Sequence, residues 1–116
     1  METLETPFIG GVPAVFIHVK DLRKSVNWFS LLLGKENPET IRTDIHIFGL
    51  DNGANIFLIH KETPEPCNQV LCSLSAPDLV KTREFFESNH IEYEDHNEET
   101  IYFKDLDGNI LMACSI

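Results

Sequence analysis

The side chains of this 116-residue chain best suited to bind a metal or move a proton are five histidines and three cysteines. Cys67, Cys72 and Cys114 are odd in number and form no Cys-x-x-Cys pair. That argues against a disulfide framework or a structural zinc site and fits a reducing, cytoplasmic compartment. His18, His60 and Cys72 are a conceivable zinc set, since imidazole and thiolate suit that ion. They fall on separate strands, so spacing does not select them, and single strand histidines are more often solvated or structural. His18 alone could act as an acid or base near neutral pH, or simply bond to backbone near a strand end. His90 and His96 lie among Glu92, Glu94, Asp95, Glu98 and Glu99. The cluster could attract cations; as a solvated acidic edge it would also discourage edge-to-edge pairing. Cys72 and Cys114 have no basic sequence neighbour to lower a thiol pKa and read as small buried hydrophobes.

The elements that must position these groups follow from periodicity and turn chemistry. Residues 13–19 are apolar, β-branched and aromatic, and predict a strand. Asp21 is a helix N-cap followed by Leu22, Val26, Phe29, Leu32 and Leu33 at helical spacing, with Trp28 widening the face and Gly34 as the stop. Beyond Pro38, Ile41 marks a weak strand, and residues 45–48 and 55–60 stronger ones. Asp51-Asn52-Gly53 is a hairpin signal between the last two. The proline-rich stretch around Thr63-Pro64-Glu65-Pro66 is a linker. The order then repeats: a strand over 69–75, a helix capped by Asp78 and carrying Leu79, Val80, Phe85 and Phe86, and its end at Asn89 and His90. A strand edge over 92–96 and a hairpin of 100–104 and 110–114 around Asp105-Leu106-Asp107-Gly108-Asn109 complete it. Each half reads β-α-β-β-β, giving an α+β chain. One such unit is too small to bury both faces of its sheet; two can curl mixed sheets around a shared cavity, with the helices outside. The expected boundaries are a first module over 12–61, a linker over 62–68 and a second module over 69–116, in a single domain over 1–116.

Composition excludes other classes. Nine basic and 19 acidic residues give a formal net charge of -10. No basic face for nucleic acid or an anionic membrane is expected from this balance, and the acidity reads as solubility. No apolar run reaches the length of a membrane span, and the acidic start at residues 1–6 is unlike a signal peptide.

Three stretches resemble the vicinal oxygen chelate superfamily, which includes glyoxalase I, bleomycin-resistance proteins, fosfomycin-resistance enzymes and extradiol dioxygenases. The first is Val19-Lys20-Asp21-Leu22 with Ser25, Trp28 and Phe29 and the Leu33-Gly34 stop, similar to the family's V-x-D-L-x-x-S-x-x-F-Y and L-G. The second is a weaker copy over 78–86. The third is Asp105-Leu106-Asp107-Gly108-Asn109 against the family's D-P-D-G-N. The resemblance spans nearly the whole chain and implies paired βαβββ modules and, commonly, a homodimer. In the family's metalloenzymes, four strands supply His and Glu ligands to a divalent ion. Carried over, those positions fall on Ala14, Cys72, Met112 and one residue near Phe57 or Leu58. Ala has no donor atom, and a Met thioether is poor for the ions concerned.

The expected function is therefore metal-free and cofactor-free binding of a small, largely apolar organic ligand, as in bleomycin-resistance-like sequestration. Strand alternation places Ala14, Phe16 and His18 on the ligand face, with Phe57, Cys72, Leu74 and Met112 from other strands. Phe48, Tyr102 and Ile110 are further candidate liners. One alternative is a metal-dependent glyoxalase-like lyase or isomerase using relocated ligands such as His18, His60 and Cys72. Another is a structural or interaction module whose cavity is filled by its own side chains.

Overall fold

In a computed structural model, residues 5–9 and 11–115 are described; residues 1–4, Gly10 and Ile116 lie outside them, so part of the acidic start over 1–6 does too. The elements in order are β1 (Ala14–Val19), α1 (Leu22–Leu33), β2 (Ile45–Gly49), β3 (Asn55–His60), β4 (Val70–Ser75), α2 (Leu79–Ser88), β5 (Tyr93–Asp95), β6 (Thr100–Lys104) and β7 (Ile110–Cys114). They form two mixed sheets, ordered β1-β3-β2 and β4-β7-β6-β5, that do not close into a barrel. In each sheet the strand before the helix pairs parallel with the last strand of its half: β1 with β3 and β4 with β7.

The two halves repeat at the level of single hydrogen bonds. Asp21 and Asp78 both sit in extended backbone, and each carboxylate accepts from the amide three residues on, Lys24 and Lys81, at 3.1 Å. Each cap satisfies an amide that the first helical turn leaves free, worth about 1 kcal/mol. The hairpins repeat too. Leu50 N donates to Ala54 O and Gly53 N to Leu50 O, just as Asp105 N donates to Asn109 O and Gly108 N to Asp105 O. Gly53 and Gly108 have φ of +89° and +87°, a region that glycine enters without a Cβ clash.

The first half lacks the strand expected at Ile41. Between α1 and β2 the chain is polar and interrupted by Pro38, with no alternation that could bury one face. Its groups are satisfied locally instead: Arg42 binds Asp44 through two bonds of 2.9 Å, and the Arg23 guanidinium donates to Asn37 Oδ1 and Pro38 O.

The core lies between helices and sheets. Ile17, Val19, Ile56, Leu58 and Phe48 from the first sheet meet Val26 and Phe29 of α1; Ile101, Phe103, Leu111 and Ala113 from the second meet Phe86 of α2. Phe48 is thus a core side chain, not a cavity liner. Trp28 and Phe103, 6.4 Å apart at their ring centroids, bring the halves together.

The 105–109 turn is the other fastener. Asp107 Oδ1 accepts from Lys20 N at 3.0 Å, and Asn109 Nδ2 donates to His18 O at 3.5 Å, tying it to the end of β1. Asn109 Oδ1 accepts from Cys67 N at 3.0 Å, tying it to the linker. Inside the turn, the buried Asp105 carboxylate accepts from the backbone of Asp107 and Asn109 and from Asn109 Nδ2. Burial raises the Asp105 pKa, opposed by the Asn109 bonds. A carboxyl that holds its proton more tightly when folded leaves the native state with more bound protons than the unfolded one. Stability therefore falls as pH rises from about pH 4 through the raised value, and this contribution is flat above it. Asp105→Asn, which cannot titrate, is expected to lack that fall. Urea unfolding of both proteins across this range should show the variant gaining on the wild type as pH rises. A constant difference would refute it.

Candidate functional site

The face of the first sheet that turns away from α1 is a nine-residue array set by strand register. Its rows are Ala14, Asn55 and Gly49; Phe16, Phe57 and Ile47; and His18, Ile59 and Ile45. In parallel and antiparallel pairs alike, directly opposed residues share a face, so Phe16, Phe57 and Ile47 stand side by side. The Phe16 and Phe57 rings are 5.0 Å apart and tilted by 53°. Phe16 is 56% exposed and Ile47 50%. Asn55 anchors the edge of the array, its Nδ2 and N both donating to Pro13 O. The corresponding face of the second sheet carries Ser73, Met112, Tyr102 and Glu94 in one row. His96 stacks on Tyr102 with 4.4 Å between centroids.

The repeated hairpins settle the position left between Phe57 and Leu58. Gly53 matches Gly108, so Phe57 matches Met112, each four residues beyond its glycine. Leu58 is fully buried on the helix side. Sequence spacing could not separate the two; hairpin hydrogen bonds do.

Cys72 and Leu74 require a correction. The β4–β7 register shifts between Val70 and Cys72, so Cys72 pairs with the buried Leu111 and Leu74 with Ala113, while Ser73 faces Met112's side. One inserted residue at such a bulge reverses which face every following side chain occupies. Cys72 and Leu74 therefore pack against the core under α2, away from the open face. Burial, then the charge of Asp105, pushes the Cys72 thiol up to about 11, the reverse of what a ligand or nucleophile needs.

His18, His60 and Cys72 do not converge. His18 is on the open face of the first sheet, paired with Ile59. His60 pairs with Val19 on the opposite face, and its Nε2 lies 3.0 Å from Glu62 Oε1. Cys72 belongs to the other sheet. His46 is also on the helix side, edge-on to Phe48 at 4.7 Å, and burial followed by the Arg23 charge lowers its pKa. Among the described residues no three His, Cys, Asp or Glu side chains stand together as a metal site. Of the positions carried over from the resemblance, Ala14, Phe57 and Met112 stand on the open faces, and Ser73 stands where Cys72 was expected; this set does not fit a divalent ion. They supply a hydroxyl and a thioether where several imidazoles or carboxylates are needed.

Among the described residues no helix is long and apolar enough to cross a membrane.

No protein-family model matches the chain, and no curated protein does. Solved structures match over nearly its whole length. A glyoxalase family protein from Bacillus anthracis is 13% identical with a TM-score of 0.73, covering 94% of this chain and 97% of its own. A glyoxalase/dioxygenase from Nostoc punctiforme is 16% identical with a TM-score of 0.72, covering 97% and 96%. The fosfomycin resistance protein FosX from Listeria monocytogenes, in a structure with Mn(II) and sulfate, is 16% identical with a TM-score of 0.71, covering 93% and 91%. The chain shares its fold with these three proteins, in keeping with the α+β fold that the sequence resemblance implied.

Proposed function

We propose that this chain binds a small, largely apolar organic molecule without a metal, between the open sheet faces of two copies. The observation that carries the reading is the Phe16–Phe57–Ile47 row: a half-exposed aromatic and aliphatic surface around Phe57, a position at which the resemblance leads one to expect a donor atom. An exposed apolar row of this kind marks an interaction or ligand surface. The second copy is supported by shape. The Cα radius of gyration is 15.6 Å and the principal extents are 49 × 36 × 27 Å, against roughly 13 Å for a compact chain of this length. The open faces leave the chain extended, and a partner's sheet would cover them. Sequestration of the bleomycin-resistance kind fits such a site.

The alternative is a metal-dependent enzyme, favoured by neighbours such as FosX with its Mn(II). It would need donor atoms that Ala14, Phe57, Ser73 and Met112 do not offer. A cavity filled by its own side chains is disfavoured by the exposure of Phe16 and Ile47. Metal analysis of untagged protein and a thermal-shift screen of hydrophobic small molecules test the proposal together. A ligand that binds only the native state raises Tm. The expected result is no stoichiometric metal and a rise in Tm with flat or aliphatic compounds that Phe16→Ala abolishes. About one tightly held divalent ion per chain would overturn it.

A further inference from the structure

A second concavity lies where the two halves meet, at the β5 edge of the second sheet, and Phe16 is not among its lining residues. It is a cleft of about 640 Å³ between Trp28 of α1, the end of α2 and strands β5 and β6. That volume is within the range of small-molecule sites. Trp28, Tyr93 and Phe103 line it from the helix side of the second sheet, and Tyr102 borders it from the other face. Its charges are mainly negative, with Glu92, Glu94 and Asp105 against Lys104. Ion pairs among the described residues join Arg42 to Asp44, His60 to Glu62 and Arg83 to Asp95, so Glu92 and Glu94 have none. The Tyr93 hydroxyl donates to Glu87 Oε1 at 3.3 Å. Burial raises the Tyr93 pKa, and Glu87 and Asp95 raise it further against the opposing charge of Arg83.

His90 adds an independent observation. It follows the last turn of α2 with φ of 56°, and among the described residues it is the non-glycine residue with positive φ. The position after a helix end is where glycine is usual, because it enters the left-handed region without a Cβ clash. Glycine fills the equivalent place after α1, at Gly34 with φ of 66°. At α2 the chain instead keeps an imidazole, and that imidazole lines the cleft. Strain retained where a cheaper residue exists points to a use for the side chain.

We propose that this cleft binds a small organic cation, an ammonium group carried on a flat apolar body. Aromatic faces attract such a cation through their quadrupoles, and unpaired carboxylates supply the counter-charge. An anion of the same shape would meet Glu92, Glu94 and Asp105 and be repelled.

The chain has a single tryptophan, Trp28, so its emission reports on this cleft directly. Benzyltrimethylammonium is the probe, with phenylacetate and benzyl alcohol as the anionic and neutral ring controls. The expected result is a saturable change in Trp28 emission with the cation alone, weakened at least tenfold in Glu92→Gln/Glu94→Gln. His90→Gly should raise Tm by on the order of 5 °C as the strain is relieved and weaken the cation at least threefold. Asn52→Ala, an exposed position of the first hairpin outside the cleft, should leave the titration unchanged. Equal responses to all three compounds, unchanged affinity in either cleft variant, or loss of binding in Asn52→Ala would overturn the proposal.

Discussion

Asn109→Ala is expected to cost about 2–4 kcal/mol of unfolding free energy, more than most single substitutions. The side chain is 5% exposed and joins three parts of the molecule: the linker at Cys67, the end of β1 at His18 and the Asp105 carboxylate of its own turn. Truncation removes all three bonds. It also leaves Asp105 Oδ2 buried without its partner, and an unpaired buried carboxylate is more costly than a lost hydrogen bond. An asparagine of the first hairpin, Asn52, which matches Asp107 in the repeat, is the control. Asn52 also bonds within its hairpin, to Ala54 N at 3.0 Å, but it is exposed and reaches no second element. Asn52→Ala should cost under about 1 kcal/mol, since water replaces the lost bond. Urea melts of both variants with unchanged m-values give the comparison. Equal small losses would show that the 105–109 turn closes a hairpin and does not fasten the two halves.

The contrast between these turns shows what a sequence displays and what it hides. Both hairpins were legible, because Asp, Asn and Gly between apolar runs dictate the turn locally. The Asp21 and Asp78 caps and the helix faces were legible for the same reason: each rests on residues a few positions apart. The fastening role of Asn109 was not, because its partner His18 lies 91 positions away. The false strand at Ile41 came from filling out a repeat where one apolar residue had no alternating companions. The face of Cys72 was misread because a bulge is a property of a pair of strands, and β4 and β7 are separated along the chain by α2, β5 and β6. At the site, Ala14, Phe16 and His18 fell on one face because strand alternation is strict within β1. The neighbours that make them a surface, Phe57 and Ile47, needed the pairing register.

That surface carries the second large prediction. Phe16→Lys is expected to weaken the proposed dimer at least 100-fold while leaving each chain folded. Phe16 is 56% exposed in the single chain and packs mainly on Phe57, so its loss leaves the core under α1 intact. In the dimer the same ring would be covered. Full burial of a Phe side chain contributes about 1.5–3 kcal/mol, and a lysine in its place adds the cost of desolvating an ammonium group. Together these exceed the ~2.7 kcal/mol that corresponds to a 100-fold change. Lysine also lowers the chain's net negative charge, so self-repulsion cannot account for dissociation. Sedimentation of the wild type at micromolar concentration should give twice the mass of one chain, and the variant the mass of one. Far-UV circular dichroism should be the same for both. Ile47→Lys, one row neighbour across β3 and 50% exposed, should act in the same direction. A wild type that sediments as a single chain at every concentration would remove the second copy from the proposal. The ligand would then have to bind an open sheet, where water reaches one side of it and the apolar row can bury only the other.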